Sequence, residues 1–250
     1  MDTEEMDTEE KGMGKERVGK KVWARSAVIR SAVLVLLVAA LLCVVLAGLL
    51  WRRRHGADEG VSIWPEREHP VGSVQIYCQK DERWAEDKLG ISPYRMRGSG
   101  CLTSCIASAL STQAATGDRG EAIADRDKVM TAGELNQIFS DGQVYNGQGD
   151  IVWGQIEEIM PEVSVLVAGS VDGKQIEALL DEGRYPVVKV KVGGNGAAHW
   201  VLIVGSDGEE YVCVDPLKED GALVPLSVHG GVVYRMRCVY WAGGGSQAGT

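Results

Sequence analysis

The 250-residue chain is 45% hydrophobic and 24% charged, enough for one globular domain with an appendage. Its net charge of −9 gives it no overall attraction for a polyanion, so nucleic acid is not expected as a partner. Its 4 His and 6 Cys show no zinc-type spacing, and no metal or organic cofactor is expected.

Residues 1–30 open with the near-repeat MDTEE-MDTEE and then turn basic, which reads as a disordered tail. Residues 31–51 run SAVLVLLVAALLCVVLAGLLW without a charge. As a helix this run is roughly 31 Å long, matching a hydrocarbon core of about 30 Å. It ends in Trp51-Arg52-Arg53-Arg54, a poor cleavage context, so it reads as a retained transmembrane helix rather than a signal peptide. Seven Lys and Arg precede the run, against the Arg52–Arg54 triplet after it. That balance favours a cytoplasmic N-terminus and an extracytoplasmic C-terminal part. Residues 1–51 hold seven acids and seven bases, so everything beyond Arg54 must carry −12. Such an acidic surface is most simply a solvated one.

Residues 52–71 contain Gly, Pro and charges with no periodicity and read as a juxtamembrane linker. Residues 72–241 form the expected domain, and 242–250 a flexible tail. Within the domain, Cys101–Leu110 reads as a buried helix after a Gly-Ser-Gly turn. Thr131 with Glu134 forms a capping box for a helix through Phe139. Asp172–Leu180 is another helix, ended by Gly183. Val187–Val192, Ala198–Val204, Glu210–Asp215 and Gly231–Trp241 read as strands. Helices first and antiparallel strands afterwards is an α+β pattern.

Four residues carry candidate chemistry. Cys101 opens a helix, where the positive dipole end favours thiolate and the preceding glycines let a substrate approach. A buried structural cysteine is the plainer reading of that position taken alone. Cys105, one turn on, is better suited to core packing. His199 is one polar ring at the head of an apolar strand, and needs a partner or a cleft. Alternation puts Trp200 and Leu202 on the opposite side from His199. Asp215 ends the next strand before Pro216, a position that is often only a turn. A hairpin turning near Asp207 pairs positions summing to roughly 414, which sets His199 opposite Asp215 with Cβ atoms about 5 Å apart. A carboxylate orients an imidazole, and an imidazolium stabilises a thiolate. Gln79 could add an amide donor beside the Cys101 backbone N–H for an oxyanion. Gly193–Gly196 reads as a flexible turn before His199, and His55, His69 and His229 as solvated loop residues. Cys78, Cys213 and Cys238 could supply one disulfide in an oxidising compartment.

Gln79 with Asp81 and Trp84, Gly98-Ser99-Gly100-Cys101, Gly183 to Val188, His199 to Gly205 and Asp215-Pro216 together resemble the papain-like cysteine peptidases. Within these the resemblance is to the double-glycine (bacteriocin-processing) peptidase-like family, and it covers roughly Ile76 to Pro216. It implies a helix bearing Cys101 packed on an antiparallel sheet bearing His199 and Asp215. Cys101 would be the nucleophile, His199 the base, Asp215 its orienter and Gln79 the oxyanion donor, with a peptide or protein as substrate. Leu102 departs from the Gly that many relatives carry there, and no transporter or ATP-binding cassette is attached. A cell-wall peptide amidase using the same triad is the alternative, although its Asp-Cys-Ser-Gly style of motif is absent. A catalytically silent, membrane-tethered binding domain is the other.

Overall fold

Two of the described helices start at side chains that take up free backbone N–H groups. Thr131 accepts from the Glu134 N–H while the Glu134 carboxylate accepts from the Thr131 N–H, the reciprocal box expected from sequence. The Asp172 carboxylate accepts from the Lys174 N–H at the start of the next long helix. The computed structural model describes residues 36–47, 59–116 and 126–242, and the chain divides into two units, Met1–Asp58 and Glu59–Thr250.

In the first unit, residues 36–47 form helix α1, whose apolar side chains are exposed. No helix among the described residues is long and apolar enough to cross a membrane. Residues 31–35 and 48–51 of the expected span, and the tails 1–30 and 243–250, lie outside the described residues.

The second unit is α+β. Its helices are α2 (Met96–Ser99), α3 (Cys101–Thr116), α4 (Ala132–Asp141), α5 (Trp153–Ile159) and α6 (Gly173–Asp181). Its strands are β1 (Val61–Ser62), β2 (Glu68–His69), β3 (Val163–Val167), β4 (Pro186–Lys191), β5 (Ala198–Asp207), β6 (Tyr211–Val214), β7 (Leu223–Pro225), β8 (Val232–Val233) and β9 (Arg235–Trp241). Six strands lie in the order β3-β9-β4-β5-β6-β7, with β2 added against β5, and every pairing is antiparallel.

Alternation along β4 and β5 divides the core. Val187, Leu202 and Val204 pack with Cys105 and Ala109 of α3 on one face. Val188, Val190, Val201 and Ile203 pack with Ile176 and Leu179 of α6 on the other. Burial on both faces is why β5 reads as a nearly continuous apolar run. α3 is itself buried around most of its circumference, with Ile106 and Leu110 fully enclosed. Truncating Leu110 to alanine would cost about 2–5 kcal/mol.

Several expectations need correction. The stretch 52–71 is not a linker throughout: from Glu59 it belongs to the second unit, β1 pairs with β8, β2 pairs with β5, and Ile63 and His69 are buried. Two-residue ladders leave no periodicity to read. The final strand is broken into β8 and β9, because β8 joins β1 in a separate small sheet. β3 and α5 were not anticipated; α5 begins at Val152, which offers no side-chain cap.

Candidate active site

α2 ends at Ser99, and Gly100 alone separates it from α3, which begins at Cys101. A side chain at Gly100 would meet the Met96 carbonyl oxygen and sulfur at 2.6 Å, so only glycine lets the two helices meet so abruptly. This need is internal, and does not come from a close-approaching substrate. Gly98, in contrast, faces open space and lines a cleft. Cys101 is half-buried at the helix start, and the Ser104 N–H makes the first return bond, to the Gly100 carbonyl. The first amides of α3 therefore have no partner within the helix.

His199 is near the head of β5 and 3% exposed. Its Nε2 lies 2.7 Å from Asp215 Oδ1, and the Cys101 thiol is near enough to the ring to raise its pKa. With Nε2 committed to Asp215, Nδ1 is the nitrogen left for sulfur. Burial pushes this imidazole down, but the Asp215 bond and the neighbouring Cys101 outweigh it, and its pKa is raised to about 9. Burial pushes Asp215 up, yet the His199 bond, the adjacent His229 ring and the Leu217 N–H hold it well below the usual carboxylate range.

The expected register does not hold, although the contact does. Leu202 pairs with Val214 and Ile203 with Cys213, positions summing to 416. A bulge between Ile203 and Gly205 shifts the remainder by one more residue. Extended by one residue, the first register sets Asp215 opposite Val201 and diagonal to His199. A slip of two residues keeps every side chain on its face, so the two still meet.

Gln79 is 2% exposed, and its position follows from the hydroxyl face of α3. Thr112 accepts from the Gln75 N–H at 3.0 Å, and Ser108 from the Tyr77 N–H at 3.1 Å. Two residues of extended chain span about 6.6 Å and one four-residue helical step about 6 Å. The next members of the series are Gln79 and Ser104, one turn from Cys101. Gln79 Nε2 donates to the Arg97 carbonyl at 2.8 Å, and its backbone N–H to the Pro216 carbonyl at 3.0 Å. It thus ties the approach to α3 to the segment carrying Asp215. One amide proton is used in this way, and the second is available to another acceptor.

His229 was expected to be solvated and is instead 2% exposed. Its Nε2 lies 3.3 Å from Asp215 Oδ2, off the ideal hydrogen-bond line, and its ring centre is 5.7 Å from that of His199. Asp215 therefore sits between two imidazoles. Glycines make this possible: Gly230, at φ +83°, lies almost against Gly194, at φ +84°, so two loops meet backbone to backbone. The Gly193–Gly194 and Gly230–Gly231 pairs were the available sequence signal.

His69 was also expected to be solvated. It is 9% exposed, is in register with Ser206 near the end of β5, and its Nε2 lies 2.6 Å from Glu177. Cys105 is fully buried, its Sγ is 3.4 Å from the Trp200 carbonyl, and burial pushes its thiol up well above the ordinary range. All six cysteines are free, so Cys78, Cys213 and Cys238 form no disulfide here.

A cleft of about 580 Å³ opens beside Cys101, between the start of α3 with the 145–153 segment and the β4–β5–β9 face. Leu102 lines it together with Trp200. Comparison with known proteins finds no matching family model and no significantly similar curated protein.

Proposed function

We propose that this chain is a membrane-anchored, papain-like cysteine peptidase that hydrolyses peptide bonds outside the cytoplasm. The observation that carries the reading is the His199 ring, hydrogen-bonded to Asp215 and under the influence of the Cys101 thiol, which stands at a helix start beside a cleft. Cys101 attacks the carbonyl carbon as a thiolate. The developing oxyanion is met by the Cys101 N–H and the Gln79 amide. Protonated His199 gives its proton to the leaving amine, and a thioester remains on Cys101. His199, now neutral, takes a proton from water, whose oxygen attacks the thioester and releases the acid. Asp215 keeps its charge throughout, holding the ring tautomer and stabilising the imidazolium. The anchor reading rests on the 21-residue apolar run and its basic flanks.

The test is turnover of a mixed peptide library by the full chain and by Cys101→Ala, Cys105→Ala and His199→Ala. Hydrolysis lost at Cys101 and His199 but kept by Cys105→Ala supports the reading. Retained hydrolysis by Cys101→Ala rejects the mechanism, and turnover of cell-wall peptides in preference to proteins would reassign the enzyme as an amidase. Protease accessibility of the C-terminal tail in intact cells tests the topology.

A further inference from the structure

Three histidines lie among the described residues, and all three are buried beside a carboxylate. Two of them are satisfied by it: His199 bonds Asp215 at 2.7 Å, and His69 bonds Glu177 at 2.6 Å. His229 is different. Its Nε2 stands 3.3 Å from Asp215 Oδ2, within reach but off line, and neither ring nitrogen makes a well-directed hydrogen bond. A buried polar group left in that state costs free energy, and natural folds keep few of them. The fold nevertheless fixes the ring there. His229 ends the single-turn helix Leu226–His229, and Leu226 is buried in the core on the α6 face. Ser227 Oγ donates to the Glu210 carboxylate at 2.6 Å. The Gly230 N–H returns to the Ser227 carbonyl at 2.8 Å, and the close approach of Gly230 to Gly194 closes the turn from the other side.

Asp215 uses its two oxygens differently. Oδ1 accepts from His199 Nε2 at 2.7 Å and from the Leu217 N–H at 2.9 Å, whereas Oδ2 faces His229. The torsion that turns a carboxylate about its last bond is broad, so donors at one oxygen leave the plane of the group loosely set. A donor at the other oxygen fixes that plane, and with it the direction from which Oδ1 meets His199. Hydrogen bonds of this kind are often long in a resting enzyme and tighten in the reacting complex. The titratable groups around His229 are few. Asp215 follows β6, the His199 ring on β5 is 5.7 Å away, and Glu210 reaches the turn through Ser227. The segments Val192–Gly194 and Val232–Val233, also packed on this turn, carry none. Asp215 is thus the one carboxylate that the ring itself meets.

From this geometry we infer that His229 is a positioning residue, whose Nε2–H donates to Asp215 Oδ2 and holds the carboxylate in the plane that meets His199. The inference rests on the peptidase reading of Cys101 and His199, and adds a fourth member behind the triad. His229 is not among the residues lining the cleft, so it acts through Asp215 and not on the substrate.

Alkylation of Cys101 by iodoacetamide, followed against pH in the full chain, tests this in wild type, His229→Phe and His229→Gln. Phe fills the space of the ring and cannot donate, whereas Gln carries an amide N–H at a similar reach to Nε2. The wild-type rate should change where His199, raised to about 9, loses its proton. In His229→Phe that break should move down toward the ordinary 6.5, with kcat for peptides about tenfold lower and KM little changed. His229→Gln should restore most of both. A purely space-filling role would leave the break in place, so an unmoved break in His229→Phe overturns the positioning role and leaves the peptidase reading standing. No break in wild type overturns the peptidase reading and the positioning role with it. A second measurement needs no substitution and stands even where a variant does not fold. In the full chain carrying isotopically labelled histidine, nuclear magnetic resonance should find a proton on His229 Nε2, protected from exchange with water. A ring protonated on Nδ1 alone would turn a bare Nε2 toward Asp215, and overturns the inference.

Discussion

Strand β5 has a buried histidine–carboxylate pair at each end. Near its start His199 meets Asp215 at 2.7 Å, and near its end His69, in register with Ser206, meets Glu177 at 2.6 Å. The two pairs are similar in burial and distance, yet only one stands beside a thiol and a cleft. At the far end Glu177 also accepts from the Tyr211 hydroxyl at 2.7 Å, and Arg67 reaches both Glu177 and Asp181. Burial and the neighbouring Glu177 push the Tyr211 hydroxyl far above its ordinary value. That network fastens β2 and α6 to the sheet. At the near end a half-buried thiol at a helix start replaces the tyrosine, and a cleft reaches it. A buried imidazole–carboxylate pair is therefore no signature of catalysis by itself; the nucleophile and its access distinguish the two ends.

Breaking each pair should separate these roles. Asp215→Asn should lower turnover on the order of 10³-fold, because the amide can no longer stabilise the imidazolium or fix its tautomer. Peptide hydrolysis per folded molecule reads this effect. Glu177→Gln should destabilise the fold by about 3–5 kcal/mol, by removing one partner of a buried charged network, and leave turnover per folded molecule unchanged. Denaturant titration alongside active-site labelling checks both halves. Equal loss of turnover in the two variants would erase the distinction.

pH separates the pairs less drastically. His199 is raised from an ordinary 6.5 to about 9, so its contribution to stability is fully present below 6.5 and lost as pH rises through 9. Asp215 and Glu177 are lowered, so theirs is present above the ordinary carboxylate range and lost as pH falls through their folded values. The melting temperature should decline between pH 6.5 and 9. Asp215→Asn should flatten that decline, whereas Glu177→Gln should leave it in place. The smallest effect belongs to His229→Ala. It removes one of two imidazoles from Asp215, and should lower kcat about tenfold with KM little changed.

Local rules carried the reading of this sequence furthest where a side chain both forms an element and shows in the pattern. Thr131 with Glu134 and Asp172 mark helix starts through their own hydrogen bonds. The Cys101 helix was legible because its small, uncharged residues suit an enclosed position. Pairing distant in sequence was less legible. The bulge after Ile203 displaced the β5–β6 register, and Asp215 reached His199 only because the displacement there was an even number of residues. His229 was missed because its burial is imposed by two glycine pairs that meet only in the fold. β2 and His69 were not legible because the partner that buries the ring, Glu177, lies 108 residues away in the chain.

The central claim is that Cys101 and His199 act as one ionised pair, and alkylation of Cys101 against pH tests it most directly. The account predicts fast labelling across neutral pH, a change in rate when His199 loses its proton near pH 9, and loss of the neutral plateau in His199→Ala. Labelling that survives Cys101→Ala, or a Cys101 profile with a single ordinary thiol rise that His199→Ala leaves unchanged, would contradict it.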